Sequence, residues 1–373
     1  MRTPVVDRQG IPLMPCHPAK ARRLLAQGRA RARWSKLGLF YIQLAWEQEA
    51  DNQPLAVGVD PGATYEGYAV VGTKDTVLNL MAAAPIHVKE AIKVRGTMRR
   101  ARRSRRCRRR PCRFQNRLAG HKRVPPSTRA RWEAKARVVA HLRRILPLTD
   151  VVVEDVQAVT RRGQDSKWNA SFSPVQVGKN HLYGLLRGMR LTLHRCEGWQ
   201  TKELRERYGL KKTKSKARRS FASHAVDAWV LAASVTGADA PMCRRLWYLV
   251  TIRLHRRLLH RFQCVHGGIR TPYGGTRSLG YKRGTLVRHP HYGLASVGGC
   301  NRQKGTVSLH AYRTNKRLTQ GAKVTTLRTL TWSPYRTYLV PEARPKTGLK
   351  QLKRGAPPTA NAGGSPRLKA RVS

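Results

Sequence analysis

The sequence predicts an α/β core assembled from segments split along the chain, flanked by a small N-terminal α/β unit and a β-rich C-terminal unit. Three observations predict it. Apolar, β-branched runs (LAVGVD, YAVVG and VVVED) lie far apart and are separated by stretches of helical composition. Beyond Ala240, short apolar runs alternate with Gly-rich turns, the pattern of a small β domain. Acidic residues are scarce, with 19 Asp+Glu against 75 Lys+Arg and a formal net charge of +56.

That charge makes the free chain self-repelling and points to a polyanionic partner. Nucleic acid fits, because Lys and Arg gain affinity by releasing counterions condensed on phosphates. No run of about 18 apolar residues exists, so no membrane span is expected. The start, MRTPVVDRQGIPLMPC, has no apolar signal core, and a cytoplasmic, nucleoid-associated protein is expected. The seven cysteines are scattered without a C-x-x-C pair, which argues against a structural zinc site and for free thiols in a reducing compartment.

In chain order, residues 1–53 read as the small α/β unit. A basic helix in HPAKARRLLAQGRARARW ends near Gly28, and YIQLAW forms a strand. Residues 54–87 read as three strands of an antiparallel meander, PLAVGVD, YEGYAVVG and TVLNLMAAA. Residues 88–120 are Arg-rich, and no acid occurs between Ala91 and Trp132. This run is helical in composition up to Pro111 but has no apolar stripe for docking on a core, so it reads either as a solvated basic arm or, as its place between folded segments favours, as a helix surrounded by phosphates.

Residues 121–200 hold a helix at 127–145, capped by Ser127 or Thr128, with Trp132, Ala136, Val139 and Leu142 on its core face. The strand TDVVVEDV follows, then a polar loop at 160–178 and a helix at 181–196. Residues 201–240 hold the basic loop LKKTKSKARR and the apolar helix SFASHAVDAWVLAASV. Residues 241–340 form the β-rich unit, and 341–373 form a Pro/Gly/Lys-rich flexible tail.

In a chain this poor in acid, carboxylates at the ends of apolar elements stand out. Asp60 closes one apolar strand, Glu154 closes another, and Asp227 lies on the apolar helix three residues after His224. An ionised acid inside an apolar element is costly unless compensated. Several together can be compensated by hard divalent cations such as Mg²⁺, which prefer carboxylate oxygens. Two such ions can hold both the attacking and the leaving oxygen of a phosphodiester. His224 can serve as ligand or as proton acceptor. Asp155, beside Glu154, is the alternative acid on that strand.

VGVDPGATYEGYAVV, VVVED and SHAVDAWVLA together resemble the three split motifs of a RuvC nuclease, an RNase H-like fold. The Arg-rich run lies between the first two motifs, where RNA-guided nucleases of the IscB and IsrB group carry a bridge helix. Pro12-Leu13-Met14-Pro15 matches the PLMP motif of that group's leading domain. The interval from Glu154 to His224 is too short for the HNH nuclease that IscB carries there, which resembles the IsrB branch.

The resemblance implies a catalytic and metal-binding set of Asp60, Glu154, His224 and Asp227 with two Mg²⁺ ions, for which Mn²⁺ can substitute. It implies a structured guide, the omega RNA, held in part by Arg95, Arg99, Arg100, Arg102, Arg103, Arg105, Arg106, Arg108, Arg109, Arg110 and Arg113. It further implies a monomeric protein in a ribonucleoprotein that nicks the non-target strand of duplex DNA, with the β-rich unit at the target-adjacent motif. Two other readings stay open at the level of sequence: a guide-independent nuclease of the resolvase type, and a non-catalytic basic RNA-binding protein.

Overall fold

The computed structural model describes residues 2–104, 124–156, 173–215, 217–251, 262–263, 268–269, 277–312 and 314–341, and the statements below concern these. The N-terminal unit is a four-stranded sheet, β1 (Thr3–Val6), β2 (Pro12–Cys16), β3 (Ala30–Trp34) and β4 (Phe40–Leu44), in the order β2-β1-β4-β3. Its helix α1 (Pro18–Ala26) packs Ala21 and Leu24 against Val5, Leu13 and Ile42. The helix ends at Ala26, next to Gly28 as expected. Gly28 takes φ +70°, and ARARW pairs along its whole length with β4 as a strand.

The central sheet has seven strands: β5 (Leu55–Asp60), β6 (Tyr65–Gly72), β7 (Thr76–Ala83), β8 (Asp150–Asp155), β9 (Thr192–Glu197), β10 (Trp247–Thr251) and β20 (Tyr335–Leu339). Their order is β20-β10-β7-β6-β5-β8-β9. β5, β6 and β7 form the expected antiparallel meander, and β8 and then β9 add in parallel beyond β5.

Alternation along the strands sorts side chains to two faces. Val57, Val59, Val151 and Val153 face α3 (Pro126–Arg143) and α4 (Pro174–Arg187), where Trp132, Ala136, Val139, Leu142, Leu182 and Leu186 complete the larger core. The other face carries Ala56, Ala69 and Met81 under α7 (Val226–Thr236), whose Trp229 donates its indole N–H to Thr76 Oγ1 at 2.9 Å. Beneath the first core, Lys135 Nζ donates to Glu66 Oε1 at 2.6 Å, and the Tyr68 hydroxyl donates to Glu66 Oε2 at 2.6 Å.

Several expected boundaries differ. α3 begins at Pro126, a residue suited to a first helical turn, rather than being capped by Ser127 or Thr128. The expected helix at 181–196 is instead the second half of α4 followed by strand β9. Arg190 at φ 55° turns the chain, and TLHRCE pairs with β8 residue for residue. Asn180 and His181 lie inside α4, and the expected loop at 160–178 already enters that helix at Pro174. The expected apolar helix at 220–235 is broken at Ala225 (φ −127°) into α6 (Phe221–His224) and α7. Between β9 and these lies α5 (Gly198–Arg207), which the sequence reading did not identify.

The expected unit 241–340 is not separate at its ends. β10 pairs in parallel with β7, and β20 pairs with β10, so both extend the central sheet. Between them lie the short hairpins β11 (Phe262–Gln263) with β12 (Gly268–Ile269) and β13 (Arg277–Ser278) with β14 (Tyr281–Lys282). An antiparallel five-stranded sheet follows, made of β15 (Thr285–His289), β16 (Gly293–Asn301), β17 (Thr306–Ala311), β18 (Arg317–Lys323) and β19 (Arg328–Trp332). It has its own core of Val287, Ala295, Val297, Val307 and Leu309. The expected tail lies outside the described residues beyond Pro341.

Candidate active site

Two strand ends and one helix start meet at the carboxyl end of the central sheet. β5 and β8 run parallel with Val59 opposite Val153, so Asp60 and Glu154 follow side by side. Asp60 has the same parity as Ala56 and Gly58, so it faces α7, and Glu154 shares that face by its own alternation. Asp227 enters from above in the first turn of α7, where the helix's partial positive end favours a carboxylate.

Two glycines let these parts come together. A Cβ on Gly58 would lie 1.8 Å from the carbonyl oxygen of Ala228, so only glycine admits α7 at this distance. Gly67, paired with Asp60 across β5 and β6, would with a Cβ lie 2.1 Å from the His224 carbonyl oxygen. His224 is therefore held at the same sheet end, with its ring edge-on to Tyr65 at 5.1 Å. The break at Ala225 replaces the continuous helix face on which His224 and Asp227 were expected to lie.

The electrostatics are those of crowded acids. Burial pushes the Asp60 carboxyl up, the Lys212 ammonium pulls it back, and Asp227 raises it again. Burial, then the charges of Asp60 and Asp227, push Glu154 up to about 8. The two carboxyls lie close enough for each to shift the other.

Asp227 is 2% exposed and has cations on both oxygens. Arg205 Nη1, from α5, donates to Oδ1 at 2.7 Å, and Lys212 Nζ donates to Oδ2. Lys212 Nζ also lies 3.7 Å from Asp60 Oδ2, so one ammonium serves two of the three acids. Burial alone would lower the Lys212 pKa, but Asp60 and Asp227 outweigh it and hold the group charged. Among the described residues, no three His, Cys, Asp or Glu side chains stand close enough to share one metal ion. The donors are nonetheless hard carboxylate oxygens, and Lys212 already marks a cation position between them. Its side chain is 38% exposed, with room to leave.

Lys212 and Arg205 were missed by sequence reasoning, since nothing distinguishes them among 75 Lys+Arg. The choice between Glu154 and Asp155 is one of geometry. Asp155 is engaged by Lys179 Nζ and, at 3.0 Å, by the Tyr183 hydroxyl of α4, on the opposite face from α7.

The Arg-rich run begins as α2 (His87–Ser104). Arg95, Arg99 and Arg100 are exposed, and no residue of the helix up to Arg100 is buried. Arg102 and Arg103 fall in its last turn, and Arg105, Arg106, Arg108, Arg109, Arg110 and Arg113 lie outside the described residues. Among the described residues no helix is long and apolar enough to cross a membrane.

A family profile described as RRXRR protein matches residues 3–171, a little under half of the chain. Within that stretch Arg-Arg-X-Arg-Arg recurs, beginning at Arg99, Arg102 and Arg105. No curated protein matches the chain. Among solved structures, Thermus thermophilus RuvC in complex with Holliday junction substrate is similar at 15% identity and TM-score 0.27, covering 51% of this chain and 100% of that one. A second structure of Thermus thermophilus RuvC is similar at 16% identity and TM-score 0.25, covering 50% of this chain and 99% of that one. At these scores the likeness carries no weight, and the chain's architecture rests on its own strand order.

Proposed function

We propose that the chain is a metal-dependent endonuclease that nicks one strand of duplex DNA under the direction of a bound guide RNA. The observation that carries the nuclease reading is the meeting of Asp60, Glu154 and Asp227 at one sheet end, where burial and then the neighbouring acids push the Asp60 and Glu154 carboxyls up. A meander followed by two parallel strands, with acids at the ends of the first and fourth strands, supports an RNase H-like core of the RuvC type.

In this reading Asp60, Glu154 and Asp227 hold two Mg²⁺ ions, and His224 is the neutral ligand or proton acceptor beside them. Bound divalent ions supply Lewis-acid stabilisation of the phosphodiester transition state and lower the pKa of an attacking water. Arg205 fixes the rotamer of Asp227 by holding Oδ1 and leaves its other oxygen toward the site. Gly58 and Gly67 set the separation of the acids.

Guidance is supported by the charge of +56 and by α2, an arginine helix without a core face. Guanidinium forks bind phosphate bidentately, while base pairing carries the sequence information. Single-strand cutting is supported by the short interval between Glu154 and His224, which leaves no room for a second nuclease.

The test is cleavage of a strand-labelled duplex by the protein purified with RNA from its own locus. One strand is cut, only with RNA and Mg²⁺, and Asp60→Ala stops cutting while guided binding persists. Equal cutting without RNA removes the guide from the reading. Cutting of both strands removes the nickase assignment, and continued cutting by Asp60→Ala removes the site.

A further inference from the structure

Trp199, the largest aromatic side chain type, is 62% exposed. It lies at the rim of the carboxylate cluster. Glu154 pairs with Cys196 and Asp155 with Glu197, so β9 ends beside the end of β8. The next residue, Gly198, lies where an added Cβ would be 3.8 Å from Glu154 Oε1, and Trp199 follows it in the first turn of α5. Val156, two residues past Glu154 and just beyond the end of β8, is also exposed, at 38%.

The indole is held in place. Its N–H donates to Glu197 Oε2 at 2.6 Å. The turn beneath it is tied by Glu197 N donating to Gln200 Oε1 at 2.7 Å and by the buried Thr201 hydroxyl donating to the Glu197 carbonyl at 3.1 Å. The polar edge of the ring is thus satisfied within the protein, and its apolar surface is left to solvent one residue along from Gly198, the position near Glu154. A fixed aromatic face suits a flat apolar partner, since it is ordered before binding.

We infer that Trp199 is a stacking platform for an unpaired nucleobase flanking the phosphate that the carboxylate site acts on. This rests on the proposed nuclease reading and adds a subsite to it. Bases in single strands stack on protein aromatics without regard to sequence, because every base has a π-face. The partner strand must be unpaired at this point, since a base inside a duplex has no free face to offer.

The experiment uses the full chain with its co-purified RNA, in EDTA so that no cutting occurs, and short single-stranded DNA carrying 2-aminopurine. Stacking on the indole changes the 2-aminopurine emission of the bound oligonucleotide. Trp199→Ala is expected to abolish that change and weaken binding roughly five- to a hundredfold, the range for loss of one base–aromatic stack. Trp199→Phe is expected to restore most of both, and Trp199→Leu, apolar but without a π-face, to restore neither. The melting temperature should not move, because the ring is outside the core.

Equal affinity and emission for wild type and Trp199→Ala would overturn the inference, as would rescue by Leu equal to that by Phe. Guided nicking by the wild type with no effect of Trp199→Ala sinks the platform alone. An intact stacking signal in a wild type that never cuts DNA sinks the nuclease reading alone.

Discussion

Gly58→Ala tests the close approach that builds the site. The new methyl would lie 1.8 Å from the Ala228 carbonyl oxygen, 2.8 Å from its carbon and 3.0 Å from Ala232 N. All three are backbone atoms of a buried helix, so no side-chain rotation relieves the clash. Ordinary contact begins at 3.4 Å, and α7 must retreat by about 1.6 Å or β5 must bend. Overpacking of this kind costs about 1–3 kcal/mol, and a clash between backbones belongs at the upper end. Asp227 precedes Ala228 and Asp60 follows Gly58 by two, so the same shift separates the two acids. A displacement of about 1 Å in a reacting group can reduce rate on the order of a hundredfold. Urea unfolding of the full chain and titration with Mn²⁺ read the two effects without assuming any reaction. The control is Gly184→Ala on an exposed turn of α4, where an added Cβ meets nothing within 4 Å. That change should stabilise by about 0.5–1 kcal/mol. If Gly58→Ala unfolds like wild type and answers Mn²⁺ equally, the packing argument is wrong.

Three further outcomes are expected. Lys135→Met leaves Glu66 buried with no cation 2.6 Å away and should cost about 3–5 kcal/mol in urea unfolding, much of it recovered in the Lys135→Met/Glu66→Gln double variant; a single variant as stable as the wild type contradicts this. In metal-free protein, Glu154 keeps its proton up to about pH 8, whereas the unfolded chain loses it near 4.5. The folded state binds the extra proton, so stability should fall as pH rises from 6.5 to 8. Below 6.5 His141, pushed by burial down to about 4, contributes the opposite slope. Glu154→Gln should flatten the fall, and a slope unchanged by that variant would exclude Glu154 as its source. Lys212→Met removes the cation standing between Asp227 and Asp60, so Mn²⁺ should bind metal-free protein up to about fivefold more tightly by calorimetry, reflecting a partly exposed ion pair of about 1 kcal/mol. Weaker binding would show that Lys212 does not compete for the ion's position.

The sequence by itself determined the parts that depend on local pattern. The β-branched runs of β5 to β8, the core face of α3 and the acids at element ends are readable because alternation, helical spacing and charge contrast act within a few residues. Net charge likewise needs no structure. Tertiary structure decided what depends on pairing at a distance. TLHRCE of β9 has no strong apolar alternation and is a strand because β8 offers it a ladder at the sheet edge. β10 and β20 join the central sheet because β7 has an open edge, not because their sequences differ from other short strands near them. Glu154 rather than Asp155 meets Asp60 because strand parity turns one toward α7 and the other toward Lys179 and Tyr183. Lys212 enters the site because a loop folds over it. Its charge is visible in the sequence, but which of 75 cations stands beside Asp60 and Asp227 is a matter of distance, and only the folded chain sets that.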